Sequence, residues 1–195
     1  METILTQFIE SNSDCAQYTG TVTIAAYAGE RLLQKETHHN AGLPTLFKFI
    51  GSCLQGNWVE AKAKKPSKLV LLKTAPNEVL TKGAPNCSTP SREATNWGAT
   101  YAVCTPISYT NAAISKTSTI NGSPASEVTY HFSIPFLSLV AGTKIKKLLL
   151  VPTDVSNYAQ EACAYYILDN EISVPDTGGN FTIMVEWTLT FTNAA

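Results

Sequence analysis

The amino-acid sequence predicts a mainly β fold: an antiparallel β-sandwich or barrel of about eight strands, with one amphipathic helix at about 44–55 packed on it. Three observations predict it. Residues 181–191 alternate Phe181, Ile183, Val185, Trp187, Leu189 and Phe191 against Thr182, Met184, Glu186, Thr188 and Thr190, the period of a half-buried strand. Several more runs of strand length recur along the chain, each ended by Gly, Pro, Asn or Ser. One segment, "LPTLFKFIGSCLQG", breaks that period, with apolar residues at helical spacing.

Taken in order, residues 1–20 read as an N-terminal arm and residues 21–195 as a single β-sandwich domain with a long loop at 75–98. The arm carries Ile4, Leu5, Phe8 and Ile9 at helical spacing and then the polar "ESNSDCAQ", a pattern for a segment that orders against a neighbouring subunit. "TGTVTIAAYAGERLLQKET" alternates through Val22, Ile24 and Ala26, giving either a strand pair or one long strand bulged at Gly29. Asn40, Ala41 and Gly42 then read as a turn that re-aims the chain. The helix follows, with Pro44 suited to its first turn and Gly56 to the position after its last. At 100° per residue Leu46, Phe47, Phe49, Ile50, Cys53 and Leu54 cover an arc of ~160°, with Thr45, Lys48, Ser52 and Gln55 opposite.

The lysine cluster "KAKKPSK" reads as a solvated loop, with docking on an acidic partner surface as the sharper alternative, and "KLVLLK" (68–73) as a strand covered on both faces. Residues 75–98, rich in Pro, Asn, Ser, Thr and Gly, make the long loop. Strands are expected at "ATYAVCTPISYT" and "ISKTSTI", separated by "NAA" and ended by the turn "NGSP". "EVTYHFSIPF" is a half-buried strand with Val128, Tyr130, Phe132 and Ile134 inward. "TKIKKLLLVP" suits a strand or a short helix, "CAYYILDNEISV" a strand closed by a hairpin-like turn at "PDTGG", and 181–191 a central strand.

Composition narrows function. With 195 residues, 44% hydrophobic and only 15% charged, the chain is globular and short of charge. Either partners cover much of its surface or Ser and Thr, roughly a fifth of the residues, do the solvating. A formal charge of −1 excludes the strongly basic footprint of a general nucleic-acid binder. Five cysteines without a C-x-x-C pair argue against a zinc site and a dense disulfide framework, and Cys53, Cys104 and Cys163 suit small buried hydrophobes. The opening "METILTQFIE" does not read as a secretion signal and no apolar run reaches membrane length, so synthesis in a reducing cytoplasm is expected.

Catalysis finds little support. The three histidines are His38, His39 and His131, and no G-x-S-x-G, P-loop, H-E-x-x-H or G-x-G-x-x-G occurs. Asp169 with Glu171 or Glu186 are glycosidase candidates by residue type alone, and Glu186 is expected to meet solvent or a lysine of a neighbouring strand. "DNE" and "DTGGN" lack the spacing of a calcium loop. His38 and His39 are adjacent, so on a strand they point apart and do not converge on one metal. No catalytic, metal or cofactor site is therefore assigned, and no cofactor is expected. The candidate assembly or ligand contacts are Trp97, Trp58, Tyr101, His38, His39, Lys64 and Lys65.

"HHNAG", then "LPTLFKFIGSCLQGNW", "KLVLL" and the C-terminal "GGNFTIMVEWTLTFTNA" together resemble small β-rich virion structural proteins of tailed bacteriophages, those of crAss-like gut phages among them. The resemblance covers the two ends of the chain better than the middle. It implies a non-enzymatic virion subunit of the tail, collar, head–tail connector ring or head decoration, made in the host cytoplasm. Its partners would be copies of itself and other virion subunits, with no sequence-specific nucleic-acid or membrane binding. The alternative is a β-sandwich carbohydrate- or receptor-binding module, with Trp58, Trp97 and Tyr101 as flat faces for sugar rings.

Overall fold

The computed structural model describes residues 16–42, 44–74, 98–120, 123–155 and 158–193. It is a β-sandwich. Nine strands, β1 (Ala16–Ala28), β2 (Arg31–Gly42), β3 (Pro66–Leu72), β4 (Ile107–Ser108), β5 (Asn111–Ile120), β6 (Ser123–Pro135), β7 (Lys144–Pro152), β8 (Ala164–Ser173) and β9 (Phe181–Asn193), are joined by α1 (Pro44–Leu54), α2 (Trp58–Lys64) and the single turn α3 (Tyr158–Glu161). Every pairing is antiparallel, in the order β4-β3-β7-β8-β2-β1-β9-β6-β5. The order folds over at β2 into two packed sheets that do not close into a barrel. With β4 only two residues long, eight strands carry the architecture.

The strand expected from residue 21 begins five residues earlier, at Ala16, so the chain before it is 1–15, outside the described residues. At Gly29 the strand-pair reading holds: Ala28 pairs with Arg31 across a two-residue turn in which Gly29 takes φ +62. A bulge lies one turn of the ladder back, between Ala26 and Tyr27. β9 is central, between β1 and β6, and buries Phe181, Ile183, Val185, Trp187 and Leu189. Beside them on the same face of the sheet, as cross-strand neighbours, stand Val22, Ile24 and Ala26 of β1 and Tyr130, Phe132 and Ile134 of β6.

The second sheet is covered on both faces. In β3, Leu69 and Leu71 join the main core while Val70 and Leu72 join a second cluster with Leu149, Val151, Ala162 and Tyr165. β7 does the same, with Leu148 and Leu150 inward and Leu149 and Val151 outward, which explains why both strands read as continuous apolar runs. The "TKIKKLLLVP" ambiguity resolves to strand.

Several expectations are corrected. The lysine loop is divided between helix α2, which holds Lys62 and Lys64 and ends at Lys65, and β3, which holds Lys68: the Asn57 side chain accepts from the Glu60 backbone N–H at 3.3 Å and its amide donates to the Glu60 carboxylate at 3.1 Å, a reciprocal cap that starts the helix. The strand expected at "ATYAVCTPISYT" is a 3-10 turn at Ala99–Tyr101, one bridge from Ala102 to Leu72, and then the two-residue β4. Pro106, which has no N–H to give a ladder, stands directly before β4. "NAA" does not separate two strands but begins β5, and Ser123 and Pro124 belong to β6, with residues 121–122 outside the described residues. Asn40, Ala41 and Gly42 are the end of β2, where Ala41 and Gly42 pair with Tyr165 and Ala164 of β8. The "PDTGG" turn does not close a hairpin, because β8 and β9 lie in different sheets. The long loop at 75–98 falls outside the described residues up to 97.

Candidate functional site

Helix α1 starts at Pro44 and ends as its sequence dictates. Gly56 takes φ +70, and the Asn57 N–H reaches back to the Ser52 carbonyl at 2.9 Å, a left-handed glycine stop. Its burial, however, is turned from the apolar arc. Leu46 is fully buried, Phe49 and Ile50 pack on the core and Cys53 is half-buried, but Thr45 and Ser52 are buried too. Phe47 and Leu54, at the far edge of the arc, face outward. The buried stripe is thus rotated by roughly 60° from the centre of the apolar one.

What this leaves outside is continuous with α2. Leu54 is 84% exposed, Trp58 69% and Val59 85%, all within six residues of the α1–α2 joint. Scattered exposed apolar residues are ordinary, but three so close in the chain at one helix joint make a candidate contact surface. Lysines border it: Lys62 and Lys65 are exposed and Lys64 is half-buried, its ammonium 4.0 Å from Glu161. Trp58, Lys64 and Lys65 are therefore brought together on one helix and its end.

The other sequence candidates lie apart. Tyr101 is half-buried on the outer side of the second sheet, its ring 5.9 Å from the Lys147 ammonium, and its carbonyl accepts from Lys73 N–H at 2.9 Å. Trp97 lies outside the described residues. His39 is exposed and His38 half-buried, so the two diverge on β2. His38 stacks on Tyr166, with ring centroids 5.2 Å apart and planes inclined by 17°, and its Nε2 lies 3.6 Å from Asp169.

That contact belongs to an arrangement the sequence did not reveal. β2 and β8 share only two paired positions before they splay; continuing their register would set Glu36 opposite Asn170. Side chains bridge the gap instead. The buried Glu36 carboxylate accepts the backbone N–H groups of Asp169 and Asn170, each at 2.9 Å, and Gln34 donates to Glu36 and to the Asn170 carbonyl, each at 3.1 Å. Gln34, Glu36 and His38 are alternate residues, so one face of β2 stitches the strands where the backbone ladder stops. No local sequence signal marks it, since Glu36 stands between Lys35 and Thr37 in a polar stretch of β2.

The carboxylates considered for catalysis are held separately. Asp169 meets His38, Glu171 lies 3.6 Å from Lys144, and Glu186 faces solvent, one of the two settings expected for it, with His131 Nδ1 at 3.4 Å. Among the described residues no three His, Cys, Asp or Glu side chains form a group able to hold a metal ion. Burial pushes the Cys163 thiol up to about 12, against the opposing pull of Lys64, and raises Cys104, which suits both to apolar packing. Cys53 is half-buried, and Cys15 and Cys87 fall outside the described residues.

Fold and surface together define an antiparallel β-sandwich that presents an apolar, lysine-bordered helical hairpin. Comparison with protein-family models, with curated proteins and with solved structures finds no match to this chain. No helix among the described residues is long and apolar enough to cross a membrane.

Proposed function

We propose that the protein is a non-enzymatic virion structural subunit of a tailed phage, in the tail, collar, connector ring or head decoration, and acts by protein–protein assembly. The observation that carries the assembly part is the exposed Leu54, Trp58 and Val59 group on α1 and α2. A helix that buries Thr45 and Ser52 while exposing Phe47 and Leu54 is shaped for a second contact, since the same sequence rotated by part of a turn would bury its own apolar arc. The virion assignment rests on the resemblance of the two ends of the chain to phage structural proteins.

The test is the size of the purified chain. Light scattering is expected to give a multimer of the 21.0 kDa chain, and Leu54→Asp/Val59→Asp is expected to give the monomer with an unchanged circular dichroism spectrum. A wild-type chain that stays at 21.0 kDa at all concentrations, and is missing from purified particles by mass spectrometry, overturns the reading. The exposed Trp58 indole supports one second reading, a carbohydrate- or receptor-binding module. A glycan-array signal that Trp58→Ala abolishes would favour it over assembly.

A further inference from the structure

We propose that the α1–α2 face is the seat of the N-terminal segment, residues 4–9, of a neighbouring copy of this chain. The inference rests on the assembly reading and names the occupant of its surface.

Three features of the chain support that occupant. The first is apolar pattern. Ile4, Leu5, Phe8 and Ile9 fall at i, i+1, i+4 and i+5, one stripe on a helical segment, and the seat offers Leu54, Trp58 and Val59. The second is charge. Residues 1–15 carry Glu2, Glu10 and Asp14 and no Lys, Arg or His, while residues 44–65 carry Lys48, Lys62, Lys64 and Lys65 against Glu60. Acidic residues flank the apolar stripe of the segment, and lysines border the apolar seat.

The third is where the segment leaves the fold. β1 runs antiparallel to β2, with Gly20 opposite Asn40, so Ala16 lies at the end of the sandwich where β2 finishes and α1 begins two residues on. The described chain therefore begins at the end of the sandwich from which α1 sets out. Six residues, 10–15, separate Ile9 from Ala16, and such a link spans up to ~20 Å when extended, enough to cross to an adjacent subunit packed end to end. A segment folded onto its own hairpin would hide the face without joining subunits, so in an assembly held through this face the segment comes from the next copy.

Complementation between two full-length variants tests this. One variant, Leu5→Asp/Phe8→Asp, loses the segment's stripe and keeps the seat. The other, Leu54→Asp/Val59→Asp, loses an exposed seat and keeps the segment. Each alone is expected to be monomeric by light scattering. Mixed in equal amounts with different affinity tags, they are expected to form a heterodimer of about twice the 21.0 kDa chain mass, captured through either tag, because one intact segment meets one intact seat. A mixture that stays monomeric, or a Leu5→Asp/Phe8→Asp chain that keeps the wild-type multimer, overturns the proposal while leaving the assembly reading intact. A wild-type chain that is itself monomeric removes both.

Discussion

Replacing Glu36 with alanine is the sharpest test of how the two sheets are joined. Its carboxylate accepts two backbone N–H groups of β8, each at 2.9 Å, at the place where β2 and β8 no longer pair. Hydrogen bonds to a charged acceptor contribute about 1.5–3 kcal/mol each, and the site is only part-buried, so water recovers a portion for the freed donors. A net loss of about 2–4 kcal/mol is expected for Glu36→Ala. For a chain of this length that corresponds to a fall in Tm of roughly 5–15 °C. Glu36→Gln keeps one acceptor and turns an amide N–H₂ toward the other donor, so it is expected to lose about half as much. Urea unfolding at one fixed protein concentration reads both, since association would otherwise add to the apparent stability. A loss below about 0.5 kcal/mol for Glu36→Ala would show that the bridging bonds do not hold the splayed strands, and the account of the joint would fall.

Tyr166 is the converse case: its hydroxyl is buried without a hydrogen-bond partner among the described residues, so Tyr166→Phe is expected to be neutral or to stabilise by about 1 kcal/mol in the same urea assay. Cys163, pushed up to about 12 from an ordinary 9.0, holds its proton in the folded chain at a pH where the unfolded thiol has lost it. Stability contributed by this group is thus full below pH 9.0 and is lost as pH rises toward 12; at pH 8 the native thiolate fraction is about 10³-fold below that of a free thiol, which iodoacetamide labelling with mass mapping would register. Gly29 has φ +62 with open space around the missing Cβ, so Gly29→Ala is expected to cost about 1–2 kcal/mol from the backbone alone, and Gly29→Asn less. In a chain held monomeric by Val59→Asp, Leu46→Ala is expected to cost about 2–5 kcal/mol and Leu54→Ala under about 0.5, because only Leu46 is in the core. Equal losses at the two leucines would mean that α1 packs with its other phase.

The parts legible in the sequence are those where one sheet face alone decides burial. β9 and β6 sit with one face on the core and the other outward, so their alternation names strand and inner face together. β3 is legible for the opposite reason, since burial on both faces removes the alternation and leaves "KLVLL". Where side chains replace the ladder, local pattern carries no signal: Glu36, Asp169 and Asn170 are 133 and 134 residues apart, and their meeting follows from the strand order alone. The α2 helix was missed because its lysines read as solvation, although the cap that starts it is written in the sequence as Asn57 followed three residues later by Glu60.

Helix α1 shows why the candidate surface was the least legible feature. An apolar arc gives the width of a helix's sticky side but not how much of it one neighbour can cover. Here the sandwich takes one edge of the arc, from Leu46 through Phe49 and Ile50, and admits Thr45 and Ser52 beside it. The opposite edge, Phe47 and Leu54, faces out and runs into Trp58 and Val59. A helix serving only its own fold gains from turning the whole arc inward, at about 25 cal/mol for each Å² covered. The rotation instead leaves the opposite edge of the arc exposed, which is why the apolar residues that best predicted the helix are also those on which the assembly proposal rests.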